Sequence, residues 1–206
     1  MNRKEHPMEP VKMSEVADIA QYERVRPGFR AEALAVKERR RVGVGPAFTF
    51  LFENRTTVLY QVQEMMRVER IVEPKAIEHE ISTYNELLAP EGSLGATLLL
   101  EFVDPGVRAV ELTRLVGMEN HVHMAIGRLP PVTGAFDMRQ VDSHKVSSVQ
   151  YLQFNLTPAH REAWDQAASE GAIRVVVDHP HYGHEAVLSG DVARALGEDL
   201  GLAGSN

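Results

Sequence analysis

The sequence predicts an α+β fold: a single domain over residues 14–200, with N-terminal helices packed on a mixed, mainly antiparallel sheet. Helical spacing of apolar residues dominates the N-terminal part, whereas the runs typical of strands are concentrated later in the chain. Strands and helices do not alternate strictly, which favours α+β over a doubly wound parallel sheet. With 206 residues, 44% of them hydrophobic, the chain is long enough to bury a self-sufficient core. Residues 1–13 are expected to be a disordered tail and residues 201–206 a frayed one.

The helices are predicted from apolar residues at helical spacing and from the prolines and glycines that end each run. They cover residues 14–26, 27–41, 56–72, 74–89, 105–116, 157–171 and 189–200. Ser14 is the expected N-cap of the first helix, and Pro27 is expected to interrupt it so that a second helix begins there. Thr157, followed by proline, is the expected N-cap of the sixth helix, and Ser189 or Asp191 that of the last.

The strands are predicted where apolar residues alternate with others or run continuously. They cover residues 48–52, 96–102, 121–126, 146–156 and 172–177. Phe48, Phe50 and Phe52 give a clear alternation in the N-terminal half. Residues 43–46 are expected to break regular structure, and residues 178–185 are expected to form a loop.

Composition excludes several classes of function. The chain has no cysteine, which excludes disulfides, thiolate zinc sites, a protein-ligated iron–sulfur cluster and a cysteine nucleophile. Its 22 Lys and Arg against 29 Asp and Glu give a net charge of −7, which argues against binding nucleic acid through many phosphates. No apolar run approaches the roughly 20 residues that span a bilayer, and no secretory signal is recognisable. We therefore expect a cytoplasmic protein without a membrane segment.

The densest group of candidate ligands is histidine-based. Three of the nine histidines lie in residues 178–185, directly after a predicted strand, and His121 and His123 project from one face of another strand. If the two strands converge, their histidines form an open site for iron or zinc, with Asp178 or Glu185 available. The alternative is that these are ordinary loop histidines. The nominated metal ligands are His179, His184, Glu64 and Glu69.

A second candidate site combines basic and acidic residues. The run Arg39-Arg40-Arg41 either binds a phosphate or carboxylate, or places cations against the dipole at a helix C-terminus. In the helix predicted over residues 56–72, Glu64 and Arg67 form a polar stripe. Glu69 lies on the apolar side of that helix, where it needs a partner from the basic run. The alternative is a solvated ladder of charges beside a core filled by methionines.

Six blocks of the sequence resemble one bacterial family. They are 40–46 (RRVGVGP), 52–56 (FENRT), 61–69 (QVQEMMRVE), 84–90 (YNELLAP), 96–98 (ATL) with Glu101, and 178–182 (DHPHY). In combination they are similar to the uncharacterised family catalogued as domain of unknown function 3501, over about residues 19–200. The residues at its motif positions are Arg40, Arg41, Glu53, Arg55, Gln63, Glu64, Arg67, Glu69, His179 and Tyr182. Outside the motifs lie His121, His123 and His181.

The resemblance implies a setting rather than a reaction. Members of the family are often encoded near rubrerythrin and an iron–sulfur oxidoreductase, and this association implies peroxide defence, iron handling or redox metabolism. It also makes these two proteins the expected partners.

Three functions remain open at this stage. The first is a protein that binds iron or zinc and acts in oxidative-stress or redox metabolism. The second is a non-enzymatic binding or accessory module, whose arginines dock an anion or a redox partner. The third is a cofactor-free enzyme that uses Glu64 and His179 as acid and base, although no pattern identifies its substrate. The residues nominated for docking are Arg40, Arg41, Arg55, Arg67 and Tyr182.

Overall fold

The computed structural model describes residues 8–140 and 143–202 and confirms the α+β class. Its strands form two antiparallel sheets rather than the single mixed sheet that we predicted. The hairpins at residues 41–52 and 173–187 explain part of this difference, because their turns are far too short for the crossover that parallel strands require.

The seven α-helices of the described residues are labelled in chain order. They are α1 (Ile19–Glu38), α2 (Arg55–Glu69), α3 (Pro74–Asn85), α4 (Pro105–Arg114), α5 (Pro158–Glu162), α6 (Trp164–Ser169) and α7 (Gly190–Asp199). Short 3₁₀ helices cover Met13–Glu15, Met118–Asn120 and Met138–Gln140.

In the described part of the chain, nine strands form the two sheets. They are β1 (Arg41–Val44), β2 (Phe48–Phe52), β3 (Ser93–Leu100), β4 (Val122–Ile126), β5 (Val132–Thr133), β6 (Ala135–Phe136), β7 (Val149–Asn155), β8 (Ile173–His179) and β9 (Tyr182–Val187). The first sheet has the order β1-β2-β3-β7-β6, and the second has the order β5-β4-β8-β9.

The main core contains side chains from both sheets. Phe50 of the first sheet and Met124 and Val175 of the second are fully buried in one hydrophobic cluster. Trp164 of α6 belongs to the same cluster and donates its Nε1–H to the carbonyl of Ala193 in α7 at 3.0 Å. The C-terminal helices are therefore attached to the core by both apolar packing and a buried hydrogen bond.

The N-terminal segment is more ordered than we predicted from residue 8 onward. Val11 is buried against α2 and α3 in a second, smaller apolar cluster. Its backbone exchanges two hydrogen bonds with the side-chain amide of Asn85, at 2.9 and 3.0 Å. The predicted tail is therefore too long by these residues, while its first seven residues and residues 203–206 lie outside the described part of the chain.

Helix α1 runs without a break through Pro27, where we predicted an interruption. A proline within a helix leaves the carbonyl four residues earlier without its donor. Here that residue, Glu23, is exposed, so water can hydrogen-bond to the carbonyl. The helix is capped by Asp18, which accepts from the Gln21 N–H, and not by Ser14.

Of the strands that have no counterpart among those listed from the sequence, β1 and β9 are the two longest. β1 occupies part of the segment that its glycines suggested was irregular, and it pairs along its full length with β2. The end of β8 and the start of β9 replace most of the predicted loop at residues 178–185, because His179 pairs directly with Tyr182 around a two-residue turn.

None of the helices in the two described ranges is long and apolar enough to cross a membrane.

Candidate functional site

Tyr182 is a structural link between the two sheets. Its hydroxyl donates to the carbonyl of Val44 at 2.7 Å and accepts from the N–H groups of Ala47 and Phe48 at 2.9 and 3.1 Å. Its ring stacks on Phe48 with the centroids 3.8 Å apart. Because the side chain is buried and its hydroxyl is fully used, Tyr182 is not available to bind a ligand as we predicted.

The β1–β2 turn fits closely against the β8–β9 hairpin. Gly45 has a φ of +67°, and a Cβ there would lie 2.6 Å from the ring of His184 and 2.7 Å from the Tyr182 hydroxyl. Only glycine satisfies both the backbone angle and this contact. His184 therefore lies beside the turn that Tyr182 holds.

The structure brings five of the candidate ligands together where β4 begins and β8 ends. They are His121, His123, Asp178, His179 and His181. We call this group the histidine cluster. His121 Nδ1 and His123 Nε2 lie 2.8 and 3.4 Å from the same Asp178 oxygen. The ring of His179 lies edge-on to His121, with centroids 5.1 Å apart, and 5.7 Å from the ring of His181. The two strands therefore lie side by side, which is the condition on which the histidine site depends.

The hydrogen bonds of His179 fix its neutral state. Nδ1 accepts from the backbone N–H of His181 at 3.2 Å, so Nδ1 carries no proton. Nε2 is directed at the Val116 carbonyl at 3.4 Å, which can only accept, so the proton is assigned to Nε2. Burial lowers the pKa of His179, and the neighbouring His121 and His181 lower it further.

The four nominated metal ligands do not assemble into a site. Across residues 8–140 and 143–202, no three His, Asp or Glu side chains are arranged so that they could hold a metal ion. His179 lies in the histidine cluster and His184 beside Gly45, whereas Glu64 and Glu69 are on α2. Glu69 is exposed rather than drawn towards the core, because it lies at the last turn of that helix.

Glu64 joins α1 to α2. Its carboxylate accepts from Arg26 Nε and Nη2 at 2.7 and 2.9 Å and from the Tyr22 hydroxyl at 2.7 Å. These bonds, chiefly those from Arg26, lower the pKa of Glu64 to about 2 against the effect of burial. The side chain is therefore an anion at neutral pH, and no hydrogen bond or ion pair in the described chain connects it to His179 as an acid–base pair would require.

The nominated arginines do not form one docking patch. Arg55 is paired with Glu15, and Arg67 with Glu64 at 3.3 Å and Glu23 at 3.8 Å. Arg41 begins β1 and is exposed. A patch that binds an external anion needs several cations without internal partners side by side. Arg55 and Arg67 are instead paired with carboxylates of the protein itself.

Arg40 forms the most buried ion pair of the described residues. Its Nε and Nη2 each donate to one Asp199 oxygen at 2.8 Å, with the two side chains only 5% and 1% exposed. Asn54, the N-cap of α2, also reaches Asp199 at 3.5 Å. The pair connects the end of α1, the start of α2 and the last helix, so Arg40 is structural.

A cleft with different properties lies between α3 and the β6–β7 edge of the first sheet. Its volume is about 640 Å³, and Leu87, Tyr151 and Gln153 are among the residues that line it. The turn after α3 approaches the sheet closely at Gly95, where a Cβ would lie 2.3 Å from the Leu87 carbonyl. Glycine at this position therefore allows the turn after α3 to pack directly on the sheet.

Three polar side chains in the cleft are not used by the fold. In the part of the chain that the structure describes, the Tyr151 hydroxyl, the Gln153 amide and the His79 ring have no hydrogen-bonding partner. Burial raises the pKa of Tyr151, with smaller contributions from Tyr84 and Glu53. Tyr151 therefore stays protonated at neutral pH and can both donate and accept a hydrogen bond.

Arg139 bridges the mouth of the cleft. Its Nη2 donates to Glu86, just after α3, at 2.5 Å and to Asp137, just after β6, at 2.8 Å. The Arg139 side chain is 72% exposed, so each of these ion pairs contributes little to stability.

Glu53 places a buried carboxylate near the inner side of the cleft. It accepts from the hydroxyls of Thr57 and Thr97 at 2.5 and 2.7 Å and has no ion-pair partner among the described residues. Thr97 pairs with Tyr151 across β3 and β7, and the Glu53 charge contributes to the raised pKa of that tyrosine. The carboxyl group is thus held by hydroxyl groups and not by a cation among the described residues.

None of the cleft-lining residues was nominated from the sequence. The one local signal is on β7, where Tyr151 and Gln153 occupy the face opposite to the buried Leu152 and Phe154. The segments around His79 and Arg139 are far away in sequence, so only the tertiary fold shows that they line the same space.

Comparison with known proteins places the chain among relatives that share its fold. A crystal structure of a protein from Burkholderia pseudomallei K96243, described as novel and of unknown function, is 32% identical and superposes with a TM-score of 0.84. The match covers 93% of this chain and 100% of that one. No curated protein matches. Residues 10–200 match the family described as "Protein of unknown function (DUF3501)". The similarity of the six sequence blocks is therefore confirmed, and the chain belongs to this family.

Proposed function

We propose that the protein is a binding module for a small organic molecule, and that its site is the cleft between α3 and β6–β7. The observation that carries this proposal is the set of unused polar groups on Tyr151, Gln153 and His79 around one cavity. Polar groups that a fold leaves unpaired in a concave, partly apolar site are typical of ligand recognition.

The size and lining of the cleft support the same proposal. A volume of about 640 Å³ lies within the range of cavities that hold small ligands. Leu87 supplies apolar surface, and the hydroxyl of Tyr151 and amide of Gln153 supply donors and acceptors that would fix a ligand's orientation. Nothing in this lining forms a nucleophile paired with a base, so we propose binding rather than catalysis.

The proposal keeps the non-enzymatic function that the sequence suggested but moves its site. The arginines nominated for docking are largely paired with the protein's own carboxylates, whereas the side chains of Tyr151, Gln153 and His79 have no hydrogen-bonding partner among the described residues. Docking to rubrerythrin or to an iron–sulfur oxidoreductase stays a separate proposal, which rests on the family resemblance alone. A pull-down of each purified candidate partner with this protein tests it, and recovery of neither partner contradicts it.

The test of cleft binding blocks the cavity. Three phenyl compounds serve as probes: 2-phenylethanol, 2-phenylethylammonium and 3-phenylpropanoate, each followed by ligand-observed NMR. We expect at least one to bind the wild-type chain and to lose binding in Ala135→Trp, whose new ring fills the cleft from β6. Val187→Trp is the matched control, because Val187 is 54% exposed on the other sheet. Absence of binding by all three probes, or binding that Ala135→Trp leaves unchanged, contradicts the proposal.

Iron or zinc binding in redox metabolism is the second candidate function. The observation in its favour is the histidine cluster, in which two imidazole nitrogens lie within 3.4 Å of one Asp178 oxygen. Its members are not arranged to hold an ion in the described chain, so binding requires side-chain rotation. Elemental analysis and titration with Fe(II) or Zn(II) test it on untagged protein. Less than about a tenth of an equivalent of metal per wild-type chain rejects this function. Metal binding that His121→Gln leaves unchanged rejects the histidine cluster as its site.

A further inference from the structure

We infer that the cleft selects an organic cation, meaning an ammonium or guanidinium group attached to an apolar body. This inference rests on the proposed function and specifies its ligand class. Three features carry it: the balance of charge around the cleft, the internal guanidinium already bound at its mouth, and the aromatic ring on its wall.

The charge around the cleft is negative. Glu86 and Asp137 line the cleft, and Glu53 accepts a hydrogen bond from Thr97, the residue that pairs with Tyr151. Among the described residues that line the cavity, Arg139 is the single arginine or lysine. An anion entering the cleft would therefore meet a net repulsive field, whereas a cation would be attracted.

The guanidinium of Arg139 is an internal example of the kind of group that Glu86 and Asp137 can bind. This group lies between the carboxylates of Glu86 and Asp137, with hydrogen bonds of 2.5 to 3.1 Å. The same two carboxylates would accept the N–H groups of a ligand ammonium or guanidinium in this position. Because the Arg139 side chain is 72% exposed, it can leave for solvent at little cost and give its place to the ligand.

The wall of the cleft suits the rest of such a ligand. The ring of Tyr151 lines the cavity and carries no charge at neutral pH, so its face can hold a cation or an apolar group. Leu87 and the apolar part of the wall match the hydrocarbon body. A simple hydrated metal cation lacks such a body and would leave this surface unused.

The experiment compares the three phenyl probes by titration, because they differ in charge and share the same ring. We expect 2-phenylethylammonium to bind the wild-type chain at least about tenfold more tightly than 3-phenylpropanoate, with 2-phenylethanol between them. Equal or tighter binding of the anion overturns this inference but leaves the proposed function standing. Absence of binding by every probe overturns the proposed function as well.

Two substitutions separate the internal guanidinium from general charge effects. Arg139→Gln removes the competitor, and we expect it to raise the affinity for 2-phenylethylammonium by about three- to tenfold. Arg194→Gln is the matched control, because Arg194 is 65% exposed in an ion pair on α7 and its loss changes net charge equally. Glu86→Gln is expected to lower the affinity by a similar factor. Loss of affinity in Arg139→Gln, or an equal gain in Arg194→Gln, overturns the role of Arg139 as a stand-in for the ligand.

Discussion

The histidine cluster and the cleft are both groups of polar side chains beside a sheet, but their polar atoms are used differently. In the histidine cluster, both nitrogens of His179 are occupied by the backbone, and His121 is bonded to Asp178. In the cleft, the hydroxyl of Tyr151 and the side-chain amide of Gln153 have no hydrogen-bonding partner among the described residues.

This difference distinguishes two roles that a partly buried polar residue can have. A group whose hydrogen bonds are made within the protein stabilises the fold, and its loss leaves a partner unsatisfied. A group whose bonds are not made contributes little to stability and remains available to a ligand. Most residues that the sequence nominated, including Arg40, Glu64 and Tyr182, belong to the first kind.

The largest expected effect is at Arg40, the most buried of the engaged groups. Arg40→Met leaves the Asp199 carboxylate buried without its cation, and we expect a loss of about 3–5 kcal/mol in the free energy of unfolding. Urea unfolding measures it. The double variant Arg40→Met/Asp199→Leu is expected to regain much of this loss. A single variant as stable as wild type would show that the pair is not structural.

The next effect is at Tyr182. Tyr182→Phe keeps the ring on Phe48 but leaves the N–H groups of Ala47 and Phe48 without their acceptor. We expect a loss of about 1–3 kcal/mol, measured by thermal and urea unfolding. Retention of full stability would mean that the hydroxyl does not link the two sheets.

A smaller effect is expected from acid at His179. The folded chain holds the pKa of this imidazole below its unfolded value near 6.5, chiefly by burial, so the unfolded state takes up the proton more readily. Its contribution to stability is complete above about pH 6.5 and is lost as the pH falls towards the folded pKa. Stability measured from pH 7.5 to 5 should therefore decline less in His179→Gln than in wild type. Parallel curves would contradict this assignment.

The smallest effect on stability is expected at Tyr151. Tyr151→Phe makes the same chemical change as Tyr182→Phe, but the hydroxyl has no partner to lose among the described residues. We expect the free energy of unfolding to change by no more than about 0.5 kcal/mol, while the affinity for the phenyl probe that binds falls. A loss as large as that of Tyr182→Phe would abolish the contrast between the two regions.

Much of the fold follows from local signals in the sequence. Thr157 and Ser189 cap the helices that they were expected to cap, and the alternation at Phe48, Phe50 and Phe52 marks β2 correctly. The errors at Pro27 and at residues 43–46 share one cause. Proline and glycine indicate a local interruption, but the exposure of α1 and the pairing of β1 with β2 compensate for it.

The site was less accessible to this reasoning. Sequence patterns identify residue types suited to chemistry, such as His121, His123 and Asp178, and the fold brings both histidines within 3.4 Å of the aspartate. They do not show whether a side chain is already used: the fold supplies the partners of Arg40 and Tyr182 from segments more than 100 positions away.

The Arg40–Asp199 pair also has a consequence for the order in which the molecule forms. Its two members are 159 positions apart, so closing the contact gathers most of the described chain into one loop. During synthesis at about 5–20 residues per second, Arg40 precedes Asp199 by roughly 8–30 seconds. Over this interval Asp199 is not yet present to pair with the guanidinium of Arg40. The pair is therefore a contact that forms late. Its loss is expected to raise the unfolding rate more than it lowers the folding rate.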